Sequence, residues 1–466
     1  MSIKQINNRE FFRTEFIMTA QLNPFRPLLQ SEHPLQELRQ NIVKDPAIHY
    51  FDFTATGLAY GPIEERIQEL LCQYANTHSK IAKNAALTTS RYDVARSRLK
   101  DFLGLGNDFW LIPCGYGSTS AMKRLQELLG VYVPPATMER FGITIDGELL
   151  PVVFIGPQEH HSNEVSLREA QCELVRVPLR SDGVIDLNWM ARELPRYKER
   201  QIIGSFSTAS NVSGDLLPWE EVSHLIRKHD GLMCLDMAAS SPYMNVDRNL
   251  FDAAFFSPHK LLGGPGSCGL LAVRKSLVDH QLPPTFAGGG TVSYVSRRSH
   301  IFARSIEQRE DAGTPGILQL LRASYAYQLR NEVGFAFIAQ RKANLSEVFR
   351  EVLQKIAGVE IYGPTHRENF LGIFAFNFDE VSPYSLCEHL SEHYQIETRP
   401  GCSCAGPYGH DLLDMEDDEE LAKKPAWLRI SIHYTHSLAE VEYLLKSLQS
   451  AVSTLRGRPD QIWESC

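Results

Sequence analysis

The sequence has 466 residues, of which 43% are hydrophobic and 22% charged, with a formal net charge of −9. These values are typical of a globular, enzyme-sized chain and argue against a non-specific nucleic-acid binder, and no stretch approaches the roughly 20 apolar residues of a membrane span. Nine scattered cysteines, and an N-terminus without a basic region followed by an apolar one, predict a cytoplasmic protein without a signal peptide.

The chain begins with a mixed, proline-containing segment and then becomes regular. Residues 1–49 are expected to form an arm that joins the small domain, with a helix near Pro34–Val43. Tyr50–Gly57 is expected to be a short strand that ends in a turn. The helical spacing of Arg91–Leu103 ends at Gly104, a residue type that commonly follows a helix.

Residues 50–312 are predicted to form a large domain in which strands alternate with helices. The seven candidate strands are Phe109–Pro113, Pro151–Ile155, Glu173–Pro178, Ile202–Ser207, Leu232–Asp236, Ala253–Phe256 and Leu270–Val273. Helical segments such as Ser118–Leu129 and Trp219–His229 separate many of them. This alternation predicts an α/β fold with a mostly parallel sheet between helices, and ligands of such sheets gather at the carboxyl ends of the strands.

The composition changes after Asp311–Gly316, and residues 313–466 are predicted to form a smaller α+β domain. Ser437 and Glu440 have the spacing of a capping box at the start of the last helix. The predicted elements before that helix are a long helical stretch at Leu318–Ile356, strands at Val359–Tyr362 and Gly372–Phe378, and a helix near Tyr384–Tyr394.

The predicted strand Ala253–Phe256 is followed by a polar and glycine-rich loop. Ser257, His259 and Lys260 come directly after the strand, and four glycines lie between residues 263 and 269. A lysine held at a buried strand end would have a lowered pKa and could act as an amine nucleophile, whereas most lysines in turns are surface residues. Matching groups at the other strand ends would favour the catalytic interpretation.

Polar groups also follow the other predicted strands. Gly117–Thr119 opens a helix and could bind a phosphate through backbone amides, although serine and threonine are also ordinary N-caps. His160 and His161 suggest a metal site, but adjacent histidines seldom face one ion, and a histidine there could instead stack on a planar cofactor. Asn211 offers a polar side chain. Asp236 ends an apolar strand, where a half-buried carboxylate needs a cationic partner such as a protonated ring nitrogen.

Together these groups supply what pyridoxal 5′-phosphate (PLP) requires: a phosphate site, a stacking ring, an anion for the pyridinium and an amine for a Schiff base. From Tyr50 to Leu448 the chain also resembles the class V, fold type I PLP enzymes, which include the cysteine desulfurases and selenocysteine lyases. The motifs that carry the resemblance are Tyr50–Thr56, Ala75–Ser79, Gly117–Thr119, Glu159–Asn163, Ser210–Gly214, Asp236–Ala238, Ser257–Lys260, Gly288–Thr291 and Ala312–Pro315.

The resemblance implies a fold type I PLP-dependent transferase and a role for each motif. Lys260 is implied to be the Schiff-base lysine and general base, and His160 the stacking residue. Thr291 is implied to reach the phosphate of the neighbouring subunit, which predicts a homodimer. No metal ligand is implied, and the implied cofactor-binding residues are Ser118, Thr119, His160, Asn211, Asp236, Ala238, Ser257, His259, Lys260 and Thr291.

The loop Arg399–Pro407 bears on the reaction. It is similar to the cysteine loop of the group II cysteine desulfurases, which places Cys404 at the position of the nucleophile. Arg429, with Arg399 and Asn211, is implied to bind the carboxylate of an amino-acid substrate. The implied reaction converts L-cysteine to L-alanine and leaves a persulfide on Cys404, from which a sulfur-acceptor protein would take the sulfur.

Three alternatives to this reaction remain open. Cys402 and Cys404 could form half of a metal site, but no second cysteine pair has the spacing of zinc ligands. Cys404 could be an inert residue of another class V enzyme, such as an aminotransferase, an epimerase or a C–S lyase, because a fold does not determine a reaction. The chain could also be a binding protein with this fold, in which Lys260 carries no cofactor.

Two departures from the family pattern bear on the choice of reaction. Ala239 stands where the family usually has a glutamine that contacts the ring hydroxyl, so Asn211 or Ser240 would have to take over that contact. Tyr408–Trp427 is a longer and more acidic insert, interpreted as a solvated face that could also cover the site or dock a sulfur acceptor.

Overall fold

The chain is built around one large sheet, and a computed structural model describes residues 23–31, 34–79, 81–364, 370–416 and 424–456. In spatial order its seven strands are Phe109–Cys114, Gly269–Arg274, Ala253–Phe256, Leu232–Asp236, Ile202–Ser207, Val152–Ile155 and Glu173–Arg176. Gly269–Arg274 is antiparallel to both of its neighbours, so the remaining six strands all run in one direction. The predicted mostly parallel sheet is confirmed.

The sheet is buried on both faces because its strands are apolar at nearly every position. Along Ala253–Phe256, Phe256 packs into a core cluster that includes the helix Ile317–Val333. Phe255 points to the opposite face and packs into a second cluster with the helix Ser118–Leu128. Polar side chains are therefore concentrated at the strand ends.

A second sheet has four antiparallel strands, in the order Val359–Tyr362, Ile373–Phe378, Trp427–Ser431 and Arg399–Gly401. Its register pairs Arg399 with Arg429 across neighbouring strands. A third core cluster lies between this sheet and the helix Leu438–Leu455. The predicted capping box at that helix is present, since Ser437 Oγ accepts the N–H of Glu440 (3.2 Å) and the Glu440 carboxylate accepts the N–H of Ser437 (2.8 Å).

Most of the predicted helices begin and end close to the predicted positions, but the helix predicted at Arg91–Leu103 already begins at Lys83. The predicted stretch Leu318–Ile356 is two helices, because Gly334 adopts a φ of 86° between them. The α-helices are Pro34–Asn41, Gly61–Leu71, Lys83–Phe102, Ser118–Leu128, Pro135–Phe141, His161–Arg168, Leu187–Glu193, Trp219–Arg227, Ile306–Arg309, Ile317–Val333, Phe335–Leu353, Pro383–Tyr394, Gly406–Leu412 and Leu438–Leu455. None of the described helices has the length and apolar character needed to cross a membrane.

Short strand pairs lie outside the two main sheets, and some of them involve the N-terminal segment. His49–Tyr50 runs parallel to Ile396–Glu397, and the predicted strand Tyr50–Gly57 stops early, because the Asp52 carbonyl accepts the N–H of Ala55 (3.0 Å) in a turn. The other pairs are Ile42–Val43 with Ala59–Tyr60 and Val292–Val295 with His300–Phe302. The division into an arm (1–49), a large domain (50–312) and a small domain (313–466) stays a prediction.

Candidate active site

The carboxyl ends of the parallel strands open into a cavity of 630 Å³, which the strand Arg399–Gly401 and the following loop close from the other side. Thr291 does not line this cavity. The other predicted site residues all do: Ser118, Thr119, His160, Asn211, Asp236, Ala238, Ser257, His259, Lys260, Arg399, Cys404 and Arg429.

The start of the helix Ser118–Leu128 forms one end of the cavity. Gly117 is the N-cap residue, and the N–H of Ser118 donates to Ser257 Oγ (2.9 Å). A Cβ atom on Gly117 would lie 3.3 Å from Ser257 Oγ and 3.8 Å from His259 Nε2, so a side chain at this position would crowd this end of the cavity. Hydroxyls, an imidazole and the positive end of a helix dipole surround that space, and this combination suits a phosphate.

His259 is held at this end by its contacts with the segment after Tyr50. Its Nδ1 lies 3.3 Å from Thr56 Oγ1, and its carbonyl oxygen accepts the N–H of Gly57 (2.8 Å). Burial, with the nearby positive charge of Lys260, lowers the pKa of His259 to about 4. The imidazole is therefore neutral near pH 7. Thr119, on the neighbouring helix turn, has its hydroxyl 2.7 Å from Ser162 Oγ.

Lys260 and Asp236 face each other across adjacent strand ends. Burial lowers the pKa of Lys260 to about 8, although the charge of Asp236 opposes the shift, so a minor fraction of the amine is already unprotonated near neutral pH. Burial raises the pKa of Asp236, even though its Oδ1 accepts the N–H of Ala238 (2.9 Å). A buried carboxylate in this state is stabilised by a cation, which a protonated ring nitrogen would supply.

His160 is the N-cap residue of the helix His161–Arg168. Its Nδ1 accepts the N–H of Ser162 (3.1 Å), so the ring proton lies on Nε2. Burial, then the charge of Lys260, lowers the pKa of His160 to about 3 and keeps the ring neutral. The preceding residue anchors the segment, since the buried Glu159 carboxylate accepts the N–H (2.9 Å) and the hydroxyl (2.7 Å) of Ser207.

Asp52 joins the two predicted substrate-binding arginines. Its Oδ2 accepts Arg399 Nε (2.8 Å) and its Oδ1 accepts Arg429 Nη2 (3.0 Å). Arg429 Nη1 donates to the Asn211 carbonyl oxygen (3.0 Å), whereas its buried Nε has no hydrogen-bond partner among the described residues. Burial lowers the pKa of Arg429. Nε is therefore the guanidinium nitrogen that has no partner in the described part of the chain.

The cysteine loop is held against segments that follow strands of the large sheet by hydrogen bonds on both sides of Cys404. Asn211 Nδ2 donates to the Ser403 carbonyl oxygen (2.6 Å), and the N–H of His161 donates to the Cys404 carbonyl oxygen (2.8 Å). Ser403 and Cys404 have φ angles of 54° and 57°, so both adopt the left-handed conformation. This conformation places the exposed Cys404 at the cavity wall.

Thr291 lies apart from these residues. It is buried, its Oγ1 donates to the Gly288 carbonyl oxygen (2.7 Å), and its own carbonyl accepts the N–H of Ala303 (2.8 Å). The adjoining strands Val292–Val295 and His300–Phe302 expose Tyr294 and Ile301. Within one chain, Thr291 does not contribute to the cavity.

The structure bears on both departures from the family pattern, namely Ala239 and the insert Tyr408–Trp427. Ala239 lines the cavity, but the hydroxyl of Ser240 lies 2.6 Å from Thr208 Oγ1 and does not line it, so Ser240 does not replace the family's glutamine. In the insert, Tyr408 is buried in the helix Gly406–Leu412, whereas the acidic residues Asp414 and Glu416 are exposed, as expected of a solvated face. The acidic residues 417–420 lie outside the described residues.

Two participants in this site were missed from the sequence. Asp52 could have been suspected, because a carboxylate between Phe51 and Phe53 needs cationic partners. The contact of His161 with the cysteine loop left no local signal. Across the described ranges, no three His, Cys, Asp or Glu side chains come together as ligands for a metal ion.

The site fits PLP on several observations. The glycine cradle at Gly117 suits the phosphate, the buried Asp236 suits the pyridinium, and Lys260 is an amine with a lowered pKa. With the large, mostly parallel sheet, these features define a fold type I PLP-dependent enzyme.

Comparison with known proteins identifies the family. Residues 151–444 match the aminotransferase class-V family, and the chain belongs to this family. "Probable cysteine desulfurase" of Pyrococcus abyssi is 26% identical over 428 residues, covering 90% of this chain and 98% of that relative. The protein of the same description from Streptomyces coelicolor is 26% identical over 411 residues, covering 86% and 91%.

Solved structures share the fold. The apo cysteine desulfurase from Thermococcus onnurineus NA1 has a TM-score of 0.76 at 23% identity, covering 92% of this chain and 100% of that chain. The Escherichia coli cysteine desulfurase CsdA, in its S-sulfonic acid form, has a TM-score of 0.72 at 21% identity, covering 91% and 100%.

Proposed function

We propose that the protein is a PLP-dependent cysteine desulfurase, which converts L-cysteine to L-alanine and receives the sulfur as a persulfide on Cys404. The observation that carries the proposal is the placement of Cys404 in one cavity with Lys260, Asp236 and Arg429. The family membership and the relatives described as probable cysteine desulfurases support it.

The residues that line the cavity are proposed to have different roles, according to their positions. Gly117, Ser257 and His259 would hold the phosphate, Asp236 the ring nitrogen, and His160 the ring face. Bound PLP supplies an electron sink for the carbanion that forms when a proton leaves the substrate. Lys260 would carry that proton, because burial lowers the pKa of its amine to about 8, close enough to physiological pH for the amine to both accept and release a proton. Two contact sites for the substrate carboxylate are proposed at Arg429 and Arg399.

The sulfur transfer is proposed for Cys404. The thiolate forms an S–S bond to the substrate sulfur while the C–S bond breaks, and the electron pair of that bond stays with the carbon fragment. This fragment takes up protons and leaves as alanine. The Cys404 side chain lies close enough to the cationic Arg429 to interact with it electrostatically, which is the kind of environment in which cysteine nucleophiles occur.

The decisive experiment compares Cys404→Ser with the matched variant Cys402→Ser. L-cysteine is supplied to each holoenzyme, and alanine, sulfide, keto acids and cysteine-bound persulfide are measured. Cys404→Ser is expected to abolish persulfide and alanine production, and Cys402→Ser to retain both. Unchanged turnover in Cys404→Ser would exclude the proposed role.

A second candidate is another class V activity, such as transamination, epimerisation or C–S lysis, with Cys404 not catalytic. Ala239 favours it, because a methyl group lines the cavity where the family usually has glutamine. This candidate predicts keto acid, racemised amino acid or direct sulfide release that survives Cys404→Ser. A third, non-enzymatic alternative predicts no PLP absorbance and no spectral change in Lys260→Ala.

A homodimer is also proposed, with Thr291 completing the phosphate site of the partner subunit. Exposed side chains beside Thr291, such as Tyr294, Val295 and Ile301, support a covered surface there. Sedimentation should give a dimer, and Thr291→Val should weaken PLP binding. A monomer that binds PLP normally would contradict this proposal.

The cellular location is proposed from the chemistry of Cys404. Thiol chemistry at Cys404 requires a reducing compartment, so a cytoplasmic location is proposed, with a sulfur-acceptor protein that takes the persulfide sulfur. No disulfide joins the eight cysteines of the described residues.

A further inference from the structure

His161 follows the proposed stacking histidine but has a different set of contacts. Its backbone N–H donates to the Cys404 carbonyl oxygen (2.8 Å). Its side-chain Nε2 accepts the N–H of Gly406 (2.8 Å). One histidine therefore holds the cysteine loop on both sides of Ala405.

The contact with Gly406 depends on a glycine. A Cβ atom on Gly406 would lie 3.1 Å from His161 Nε2, closer than most side chains tolerate. Gly406 also begins the helix Gly406–Leu412, so its N–H belongs to the first turn and has no partner within that helix. The imidazole of His161 satisfies this N–H.

The loop needs such contacts because its backbone is unfavourable by itself. Ser403 and Cys404 are consecutive non-glycine residues with positive φ (54° and 57°). Each such residue costs free energy, and the conformation persists only where the surroundings enforce it. The imidazole can contribute only while Nε2 carries no proton, because protonation turns the acceptor into a donor that faces another donor.

We propose that His161 is a positioning residue for Cys404, which holds the cysteine loop at the cavity only while its imidazole is neutral. The inference rests on the proposed function, in which Cys404 receives the sulfur. It adds that the presentation of the nucleophile weakens as the pH falls.

The direction of the pH effect follows from the burial of His161. Burial lowers the pKa of His161 from its ordinary value of 6.5 in the docked loop. The contribution of His161 to holding the cysteine loop is therefore complete above about pH 6.5, and it weakens as the pH falls from that value toward the lowered pKa of His161. Other titratable or charged groups lie near His161. On the same segment they are His160, Glu164 and Arg168, and on the neighbouring strand Arg176. On the cysteine loop and the helix that follows it they are Cys402, Cys404, His410 and Asp411.

Hydrogen exchange at the Gly406 amide tests the proposal directly. The holoenzymes compared are the wild type, His161→Gln, whose side-chain oxygen is a non-titrating acceptor, and His161→Phe, which has none. At pH 7.5, His161→Phe is expected to exchange about five- to tenfold faster than the wild type, as for the loss of one hydrogen bond, and His161→Gln at the wild-type rate.

The pH series separates positioning from simple packing. Between about pH 7.5 and 5.5, after correction for intrinsic exchange, protection of Gly406 should fall in the wild type and stay constant in His161→Gln. Ser403→Ala removes the hydrogen bond from Trp427 Nε1 to Ser403 Oγ (3.2 Å). The Gly406 amide of this variant should therefore exchange faster than in the wild type, but its protection should depend on pH as it does in the wild type.

Two results would overturn the proposal: wild-type protection in His161→Phe, or the same fall with pH in His161→Gln as in the wild type. If His161→Phe fails to fold, the comparison of His161→Gln with the wild type still decides. Failure of the proposed function is distinguishable, because Cys404→Ser would then retain turnover while the exchange pattern of the His161 variants stayed as expected.

Discussion

Arg429→Lys tests the proposed substrate site most directly, because it keeps the charge and removes the planar fork. Arg429 Nη1 and Nη2 are held by the Asn211 carbonyl and by Asp52, and the buried Nε has no partner in the described part of the chain. A lysine ammonium at this position cannot satisfy both protein partners and also bind a carboxylate on two atoms.

The expected loss of activity in Arg429→Lys follows from the number of hydrogen bonds to the substrate carboxylate that are lost. Replacing the fork by one ammonium removes one charge-assisted hydrogen bond to the substrate and weakens a second, a loss of about 2–3 kcal/mol. This loss corresponds to a decrease of roughly 30- to 150-fold in kcat/KM for L-cysteine. Arg399→Lys should cost less, about five- to tenfold, because the Arg399 side chain is 48% exposed and its charge is screened.

The assay compares L-cysteine with L-cysteinamide, which lacks the carboxylate. Arg429→Lys should lower kcat/KM for L-cysteine by the stated factor and for L-cysteinamide by less than about threefold, because only the first substrate uses the guanidinium. Equal decreases for both substrates would show general damage to the site and refute the proposed role of Arg429.

Three further predictions test the supporting residues. Asp52→Asn should lower the free energy of unfolding in urea by about 2–3 kcal/mol, since the buried Arg429 loses its counter-charge; an unchanged midpoint would contradict this. Gly117→Ala should weaken PLP binding about tenfold in equilibrium dialysis by crowding the phosphate end, whereas Gly147→Ala, whose Cβ would meet nothing within 4 Å, should not. The rate of PLP incorporation into apoenzyme should rise with pH and be half-maximal near 8, because only neutral Lys260 adds to the aldehyde; a flat profile in stopped-flow absorbance would contradict it.

The large sheet was predictable because its strands are apolar runs that are buried on both faces. Ile202–Ser207, Leu232–Asp236 and Ala253–Phe256 begin and end where the sequence pattern predicts. The break in the long helical stretch was not predictable, because a glycine inside a helical pattern is often tolerated. The φ of Gly334 depends on how the two helices pack.

The site was predictable to the extent that parallel strands gather their carboxyl ends at one edge. Asp236 and Lys260 follow neighbouring strands, so their proximity follows from the topology. Asp52 was missed because Arg399 and Arg429 lie 347 and 377 residues away in the chain. The contact of His161 with Gly406 spans 245 residues, and no local pattern predicts it.

These long-range contacts join two parts of the site that lie on different sheets. The groups proposed to bind PLP follow the strands of the large sheet, whereas Arg399, Arg429 and the cysteine loop belong to the four-stranded sheet. The contacts of Asp52 with both arginines, of Asn211 with Ser403 and of His161 with Gly406 set the distance between the parts.

A substitution in one of these contacts should therefore change sulfur transfer at Cys404 before it changes PLP binding. A substitution at Gly117 or Asp236 should act in the opposite order, because both residues lie on the cofactor side of the cavity. The proposed sulfur transfer thus depends on how the four-stranded sheet is held against the cofactor site.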